Sequence, residues 1–400
     1  MGRDIVRKKA HGHPEKFCRL WKHEDVTDVL SDESGTKKIE GVALHGSYGT
    51  RFSAQAFTNM KKLRLLHLNN VELTGEYKYF PKKLIWLCWH GFPLESIPGD
   101  FPTQPKLVAL DLQWSELKIV WKDCKLHEKL KILNLSGSYK LTKSPDFSKL
   151  PNLEELILPR CESLSEVHSS IGDLGRLSLV NLQGCRMLKD LPLNFYKSKS
   201  IETLLLNGCW RFEKLAEGLG DMVSLTTLKA DETAIRQIPS SILKLKKLKV
   251  LSLCNVKGSP STNLLPPSLQ SLSSLRELAL ADWSLTDDAF PKDLGSLISL
   301  ENLDLAGNDF CSLPSFSRLS KLHDLSLNKC KNLCAIPDLP TNLKVLKADG
   351  CIALEKMPDF SEMSNIRELH LRKWGKLTEV PGLDKSLNSM TRIHMEGAPI

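Results

Sequence analysis

The stretch that decides the fold is Leu153-Glu154-Glu155-Leu156-Ile157-Leu158-Pro159-Arg160-Cys161-Glu162-Ser163-Leu164. Its apolar residues and its cysteine form the frame Leu-x-x-Leu-x-Leu-x-x-Cys-x-x-Leu. The same frame, with small substitutions, begins again at Leu177, Ile201, Leu225, Leu322 and Leu343. Most copies start about 23 residues after the previous one, and a fixed period of that length indicates a stack of structural repeats.

The pattern extends from Leu63 to the end of the chain and predicts an α/β solenoid, a leucine-rich-repeat horseshoe of about 15 repeats. Within each copy the leucines alternate with other residues, which is typical of a strand with one buried face. We therefore expect a parallel sheet whose leucines point inward. The residues between the leucines would form an outward, concave face. The copies begin at Leu63, Leu84, Leu107, Leu130, Leu153, Leu177, Ile201, Leu225, Leu248, Leu275, Leu300, Leu322, Leu343, Ile366 and Met390.

The return side of each repeat is expected to be convex and built of short helices and loops. A proline that follows the phrase Leu-x-x-(Leu/Ile), as at Pro192, ends strand character because it cannot donate to a ladder. The stretches Ser169–Leu174 and Ser240–Leu245 then predict short helices or 3₁₀ turns with serine as the cap. The period lengthens at Gly258–Asn263 and at Thr286–Asp288. These loops are either tolerated changes of length or binding loops.

Residues 1–62 do not repeat. We assign them to a linker that covers the open N-terminal edge of the solenoid, and we assign residues 63–400 to the repeats. The first segment is expected to begin as a helix and to continue as a polar loop over Ser31–Thr36. A strand at Ile39–Leu44 and a helix over Phe52–Met60 would follow.

Composition narrows the function classes. The net charge of +8 is spread over 400 residues, too thinly to predict nucleic-acid binding. The chain has no secretory signal and no apolar run near the roughly 18 residues that span a bilayer, and Val6 breaks the myristoylation pattern after Gly2. We expect a protein of the cytoplasm with no membrane partner. The basic run Lys244–Lys249 is most simply a solvated convex face that enters a strand, and it leaves a nuclear or a membrane role open.

Eleven cysteines are present, and five of them share one position of the repeat frame: Cys161, Cys185, Cys209, Cys330 and Cys351. An odd total in an intracellular chain predicts reduced, buried thiols that line the turn after each strand. A ladder of disulfides is the alternative.

The segment ahead of the repeats carries a family resemblance. The blocks Met1–Arg7, Pro14–Trp21, Asp25–Leu30 and Gly35–Gly41 resemble, in order, the junction before the repeats in plant intracellular disease-resistance receptors of the TIR–NB–LRR class. The phrases Leu-x-x-Cys-x-x-Leu and Leu-Pro-x-x-(Phe/Ile)-x-x-Leu of the later repeats resemble the same class. The resemblance covers essentially the whole chain.

The resemblance implies that a TIR domain and a P-loop ATPase precede this region in a complete receptor. It also implies that residues 1–62 contain the end of the nucleotide-binding module. No Gly-x-x-x-x-Gly-Lys-(Ser/Thr) motif occurs in this sequence, so we carry over no nucleotide chemistry. We expect no enzyme activity and no cofactor. The expected partners are a pathogen effector or a guarded host protein, and the nucleotide-binding module that this part restrains in a full-length receptor. The alternative is a generic intracellular scaffold without an immune role. Residues 1–44 favour the receptor.

The candidate binding residues are side chains that the frame directs to the outward face. Trp86 and Trp114 are the strongest, because exposed tryptophans anchor protein interfaces. We expect them to form one patch, unless the N-terminal segment packs over them. The full set is Trp86, His90, Gln113, Trp114, Glu155, Arg160, Gln183, Asn207, Lys229, Asp231, Glu232, Asp304, Asp324, Lys347, Asp349, Glu368, His370 and Arg372.

No catalytic or metal site is predicted. The group His11, His13, Cys18 and His23 matches no established zinc spacing. The adjacent carboxylates Glu154-Glu155 point to opposite faces of a strand and form no catalytic pair.

Overall fold

The computed structural model describes residues 13–122, 125–254 and 265–396, with the side chain of Tyr48 left out. The chain divides into two compact units, Met1–Ile201 and Glu202–Ile400. Each unit is built on a parallel sheet.

The first unit contains eight described strands. Its one described α-helix, α1 (His23–Ser31), packs against the second strand. The strands are β1 (Arg19–Leu20), β2 (Gly41–Ser53), β3 (Leu65–Thr74), β4 (Trp86–His90), β5 (Ala109–Asp111), β6 (Ile132–Asn134), β7 (Glu155–Ile157) and β8 (Leu179–Asn181).

The second unit contains nine described strands and the short helix α2 (Leu383–Ser386). The strands are β9 (Thr203–Leu205), β10 (Thr227–Lys229), β11 (Val250–Ser252), β12 (Glu277–Ala279), β13 (Asn302–Asp304), β14 (Asp324–Ser326), β15 (Val345–Lys347), β16 (Glu368–His370) and β17 (Arg392–His394).

The leucine frame sets the register of both sheets. Leu133 lies opposite Leu110 and Leu156, and the same pairing of central leucines joins Leu303 to Leu325. These side chains are at most 3% exposed. Every frame copy from Leu63 to Met390 has its strand two residues after the first apolar position. The leucine-rich-repeat fold class predicted from the sequence is confirmed.

A left-handed turn follows the strands. Gly91, the fourth residue after Leu87 of β4, has φ +69°, and Gly137, the fourth residue after Leu133 of β6, has φ +72°. Glycine is favoured there because other residues are strained at positive φ. Trp114, Arg160 and Glu232 occupy the same position with φ between +55° and +59°.

The shared cysteine position is buried, as predicted. Cys161, Cys185, Cys209, Cys330 and Cys351 are all free thiols with no exposed surface. The Sγ of Cys161 donates to the carbonyl of Leu135 in the preceding repeat (3.2 Å), and Cys351 donates to Leu327 (3.0 Å). In the repeat of β13, Asn308 replaces cysteine. Its amide donates to the carbonyls of Leu280 and Leu305, both at 2.9 Å.

Short 3₁₀ helices form much of the return side of the repeats. Those of the repeats are Tyr77–Tyr79, Phe147–Lys149, Ser169–Asp173, Leu193–Lys197, Glu217–Asp221, Ser240–Lys244, Leu294–Ser296 and Leu387–Ser389, and the N-terminal segment adds Pro14–Lys16 and Ala54–Phe57. The prediction of serine caps is wrong, because the cap position is one residue earlier. His168 Nδ1 accepts from the Ser170 amide (3.3 Å) at one helix, and Pro239 precedes the other without a side-chain cap.

The N-terminal segment differs from its prediction in one element. The helix expected over Phe52–Met60 is wrong. Strand β2 continues through Ser53, because Phe52 and Ser53 still pair with Leu73 and Thr74 of β3. Only Ala54–Phe57 is helical.

The parallel pairing of β2 with β3 carries the sheet of the first unit ahead of Leu63. The boundary at residue 62 stays a prediction. The expected helix at the very start falls partly outside the described residues, and so does the insertion Gly258–Asn263.

Candidate recognition face

We use the name outward face for the side chains that alternate with the buried leucines, together with the residue of the left-handed turn that follows them. Each repeat contributes three outward positions and one turn position. At the first outward position lie Trp86, Glu155, Asp324 and Glu368. At the second lie Lys229, Asp304, Lys347 and His370. At the third lie His90, Gln113, Gln183, Asn207, Asp231, Asp349 and Arg372. In the turn lie Trp114, Arg160 and Glu232.

The two predicted anchors in the first unit are exposed but separate. Trp86 is 45% exposed and Trp114 is 56% exposed, and the described residues do not cover them. Trp86 pairs with Ala109 at the start of neighbouring β5, whereas Trp114 lies in the turn beyond the end of β5. The structure therefore does not bring them into one patch. Trp86 instead lies opposite Leu65, which is 39% exposed.

A polar cluster that the sequence analysis did not single out lies between the two tryptophans. Cys88 Sγ is 3.1 Å from His90 Nε2, and His90 Nε2 is 3.4 Å from Asp111 Oδ1. Within the described residues, His67, Cys88 and His90 are the group of candidate metal ligands whose ligand atoms all lie within 4.8 Å of one another. The signal for it was the period itself, which places β3, β4 and β5 side by side.

Burial controls the ionisation of this cluster. Burial raises the pKa of the Cys88 thiol to about 12, and the charge of Asp111 adds to the effect. Burial also lowers the pKa of His67, as do the neighbouring imidazoles of His45 and His90. At neutral pH the thiol is therefore protonated and the imidazole of His67 is neutral.

In the second unit the outward face forms a groove of about 600 Å³. Its floor is low because Ser252, Ala279 and Ser326 carry small side chains at the second outward position. Larger charged side chains also line it. Lys229 Nζ lies 3.1 Å from Glu277 Oε1, across the intervening strand β11. Asp304, Asp324 and Lys347 line the groove as well.

Some predicted binding residues also hold the repeats together. Asp231 Oδ1 accepts from the Cys254 amide (2.7 Å) and from the Ser252 hydroxyl (2.6 Å) of the next repeat. Asp349 Oδ1 accepts from the Arg372 amide at 2.7 Å. A buried amide that loses its acceptor costs about 1–3 kcal/mol. Substitution of these two aspartates therefore reports on stability as well as on binding.

The last repeats carry a linked set of charges. Glu368 accepts from Arg392 Nη1 at 3.1 Å, and its other oxygen is 3.5 Å from His370 Nε2. Arg372 Nη2 lies 2.6 Å from His394 Nδ1. Both charge signs are therefore present on this part of the outward face. No helix among the described residues has the length and apolar character needed to cross a membrane.

The parallel strands, the leucine ladders and the recurring turn define a leucine-rich-repeat protein. A family model described as "Leucine-rich repeat region" matches residues 203–371. Among solved structures, a leucine-rich-repeat protein of Leptospira interrogans is similar with a TM-score of 0.53 and 20% identity. That match covers 89% of this chain and 84% of the other. This likeness shows the fold alone.

The curated relatives indicate a narrower class of protein than the solved structures do. TMV resistance protein N of Nicotiana glutinosa is 30% identical over 89% of this chain and 37% of its own length. Disease resistance-like protein DSC1 of Arabidopsis thaliana is 32% identical over 89% of this chain and 36% of its own length. The resemblance to plant disease-resistance receptors is confirmed. The chain spans about a third of the length of these relatives.

Proposed function

We propose that this chain is the recognition part of an intracellular plant immune receptor and acts by binding proteins, not by catalysis. The observation that carries the proposal is the extent of the similarity. The general repeat model matches residues 203–371, whereas the disease-resistance relatives match over 89% of the chain. A generic scaffold accounts for the first match and not for the second. The proposed location is the cytoplasm, with the nucleus left open.

The outward face is the proposed binding surface for a pathogen effector or a guarded host protein. It exposes Trp86 and Trp114 in the first unit, and exposed aromatic residues are favoured anchors at interfaces. In the second unit, the groove lined by Asp304, Asp324 and Lys347 supplies charges of both signs. Such a pattern selects partners by complementary charge and suppresses wrong ones.

The second proposed partner is the nucleotide-binding module of a full-length receptor. The repeats would hold that module in its inactive state until a ligand on the outward face favours another arrangement. A ligand shifts such an equilibrium only by its difference in affinity for the two states. Restraint therefore requires that ligand binding and contact with the module compete.

The test of restraint is a fusion. The nucleotide-binding module of a disease-resistance receptor is placed ahead of Met1, and its nucleotide exchange is measured. We expect exchange at least about five-fold slower than in the module alone, which corresponds to an increase of about 1 kcal/mol in the barrier to exchange. The control fusion carries Leu156→Asp and Leu204→Asp, which disrupt the repeats. Equal nucleotide-exchange rates in the intact fusion and in the control fusion would contradict the proposal that the repeats restrain the module.

A further inference from the structure

The cluster around Cys88 is a product of the repeat register. His67 on β3 lies directly opposite Cys88 on β4, and Cys88 lies directly opposite Asp111 on β5. His90 is two residues beyond Cys88, and therefore on the same face of the strand. Adjacent strands are about 4.8 Å apart, so three neighbouring strands bring four side chains to one spot.

The separations suit a shared metal ion. The ligand atoms of His67, Cys88 and His90 lie within 4.8 Å of one another, and Asp111 Oδ1 is 3.4 Å from His90 Nε2. Around a tetrahedral zinc ion, with bonds of about 2.0–2.3 Å, ligand atoms are about 3.3–3.7 Å apart. Side-chain rotations that shorten the longest separation between ligand atoms by about 1 Å would bring them to these distances.

A second observation at the cluster points to a missing ligand. The Nε2 atom of His67 is buried and has no hydrogen-bond partner among the described residues. Buried polar atoms in folded proteins nearly always have a partner, because an unpaired one is costly. A metal ion bound at this nitrogen would satisfy it.

The donor atoms indicate the class of metal. Two imidazole nitrogens and one thiolate sulfur are ligands for zinc and related transition metals, whereas magnesium and calcium prefer oxygen. The Cys88 thiol, which is protonated in the metal-free chain, would release its proton to solvent when it binds the ion. We propose that His67, Cys88, His90 and Asp111 bind one zinc-class divalent metal ion on the outward face of the first unit. The ion would join strands β3, β4 and β5, and this inference does not depend on the identity of any protein partner.

The experiment uses the full chain, freed of metal by a chelator and titrated with Co²⁺. Cobalt bound in a tetrahedral site with a thiolate gives a sulfur-to-metal charge-transfer band and intense visible bands. We expect these bands to saturate at one ion per chain and to disappear when Zn²⁺ is added. Cys88→Ser should abolish the charge-transfer band. Loss of an outer-shell group costs about 10–100-fold in affinity, so His67→Gln or His90→Gln should cost more than about 100-fold.

Two matched variants control for other thiols and imidazoles. Cys254→Ser removes a thiol that also lies at an outward position, and His323→Gln removes a half-buried imidazole of the second unit that lies outside the outward positions. Both should bind Co²⁺ as the unaltered chain does, and far-UV circular dichroism should show that every variant is folded. The absence of a cobalt–thiolate band in the folded chain would overturn the proposal. A band that survives in Cys88→Ser would overturn it as well.

Discussion

Trp114 occupies a turn position that is glycine in many of the described repeats. Its side chain lies where a side chain on Gly137, in the turn of the next repeat, would otherwise be. A Cβ atom on Gly137 would lie 2.3 Å from Cε3 of the Trp114 ring. The ring therefore lies against the backbone of Gly137 while more than half of the residue's surface remains exposed. The neighbouring turn holds the indole in a fixed place, and a rigid aromatic side chain loses little entropy when it contacts a partner.

Replacement of Gly137 by alanine tests this contact. Gly137→Ala should lower the free energy of unfolding by about 2–4 kcal/mol, because a strained backbone and overpacking against the indole add together. Gly75→Ala is the matched control, since Gly75 has φ +85° with nothing within 4 Å. It should cost only the backbone strain, about 1–2 kcal/mol. Urea denaturation measures both.

In a chain that already carries Trp114→Ala, Gly137→Ala should lower the free energy of unfolding by no more than Gly75→Ala does, because the indole ring is absent. If Gly137→Ala and Gly75→Ala cost the same in the unaltered chain, the indole does not rest on Gly137.

At the scale of the strand, one side faces the core and the other faces the outside. Leu156 of β7 has no exposed surface, whereas its neighbour Ile157 is half-buried on the outward face. Only three residues form the strand. The inward leucine therefore carries most of the packing between β6, β7 and β8.

Aspartate substitution separates the two sides of β7. Leu156→Asp should destabilise the surrounding repeats by about 4 kcal/mol or more, because a charge is buried without a partner. Ile157→Asp should cost less than about 1.5 kcal/mol. Native-state hydrogen exchange of the amides of β6–β8 measures this local loss, since the stability of repeat proteins is set between neighbours. Similar losses in the two variants would contradict the assignment of faces.

The strands were predictable because one frame fixes both their position and their inward side. The residue at the second apolar position, such as Leu156, is the middle residue of each three-residue strand from β5 to β17. The helix ends were less predictable. Strand-ending residues such as Pro239 and His168 occupy the cap positions that serine was expected to fill. The local sequence also predicted a helix at Phe52 and Ser53, whereas these residues belong to a strand because they pair with β3.

The candidate site was predictable only in part. The outward positions follow from the frame, but their grouping depends on which repeat each side chain belongs to. Trp86 and Trp114 are near in sequence and lie at opposite ends of their strands. His67 and Asp111 are far apart in sequence, and the register places them on either side of Cys88.

At the scale of the whole molecule, a regular core of buried leucines supports the outward face. The relatives are disease-resistance proteins about three times as long as the matched region. The chain therefore corresponds to one part of such proteins, and its proposed activity depends on what the outward face contacts. The 3₁₀ helices on the return side of the repeats offer a control surface for testing whether the outward face binds the partner.

The most direct measurement compares partner binding by charge variants of the two faces. A partner is selected with the unaltered chain from a library of pathogen effectors and host leaf proteins, and its affinity is measured with purified components. Lys347→Glu changes the groove of the second unit, and Lys244→Glu makes the same change of charge at an exposed residue of a 3₁₀ helix on the return side. We predict a loss of at least about ten-fold, about 1.4 kcal/mol, for Lys347→Glu and less than about two-fold for Lys244→Glu. Unchanged affinity in Lys347→Glu, with the loss in Lys244→Glu instead, would contradict the assignment of the outward face as the recognition surface.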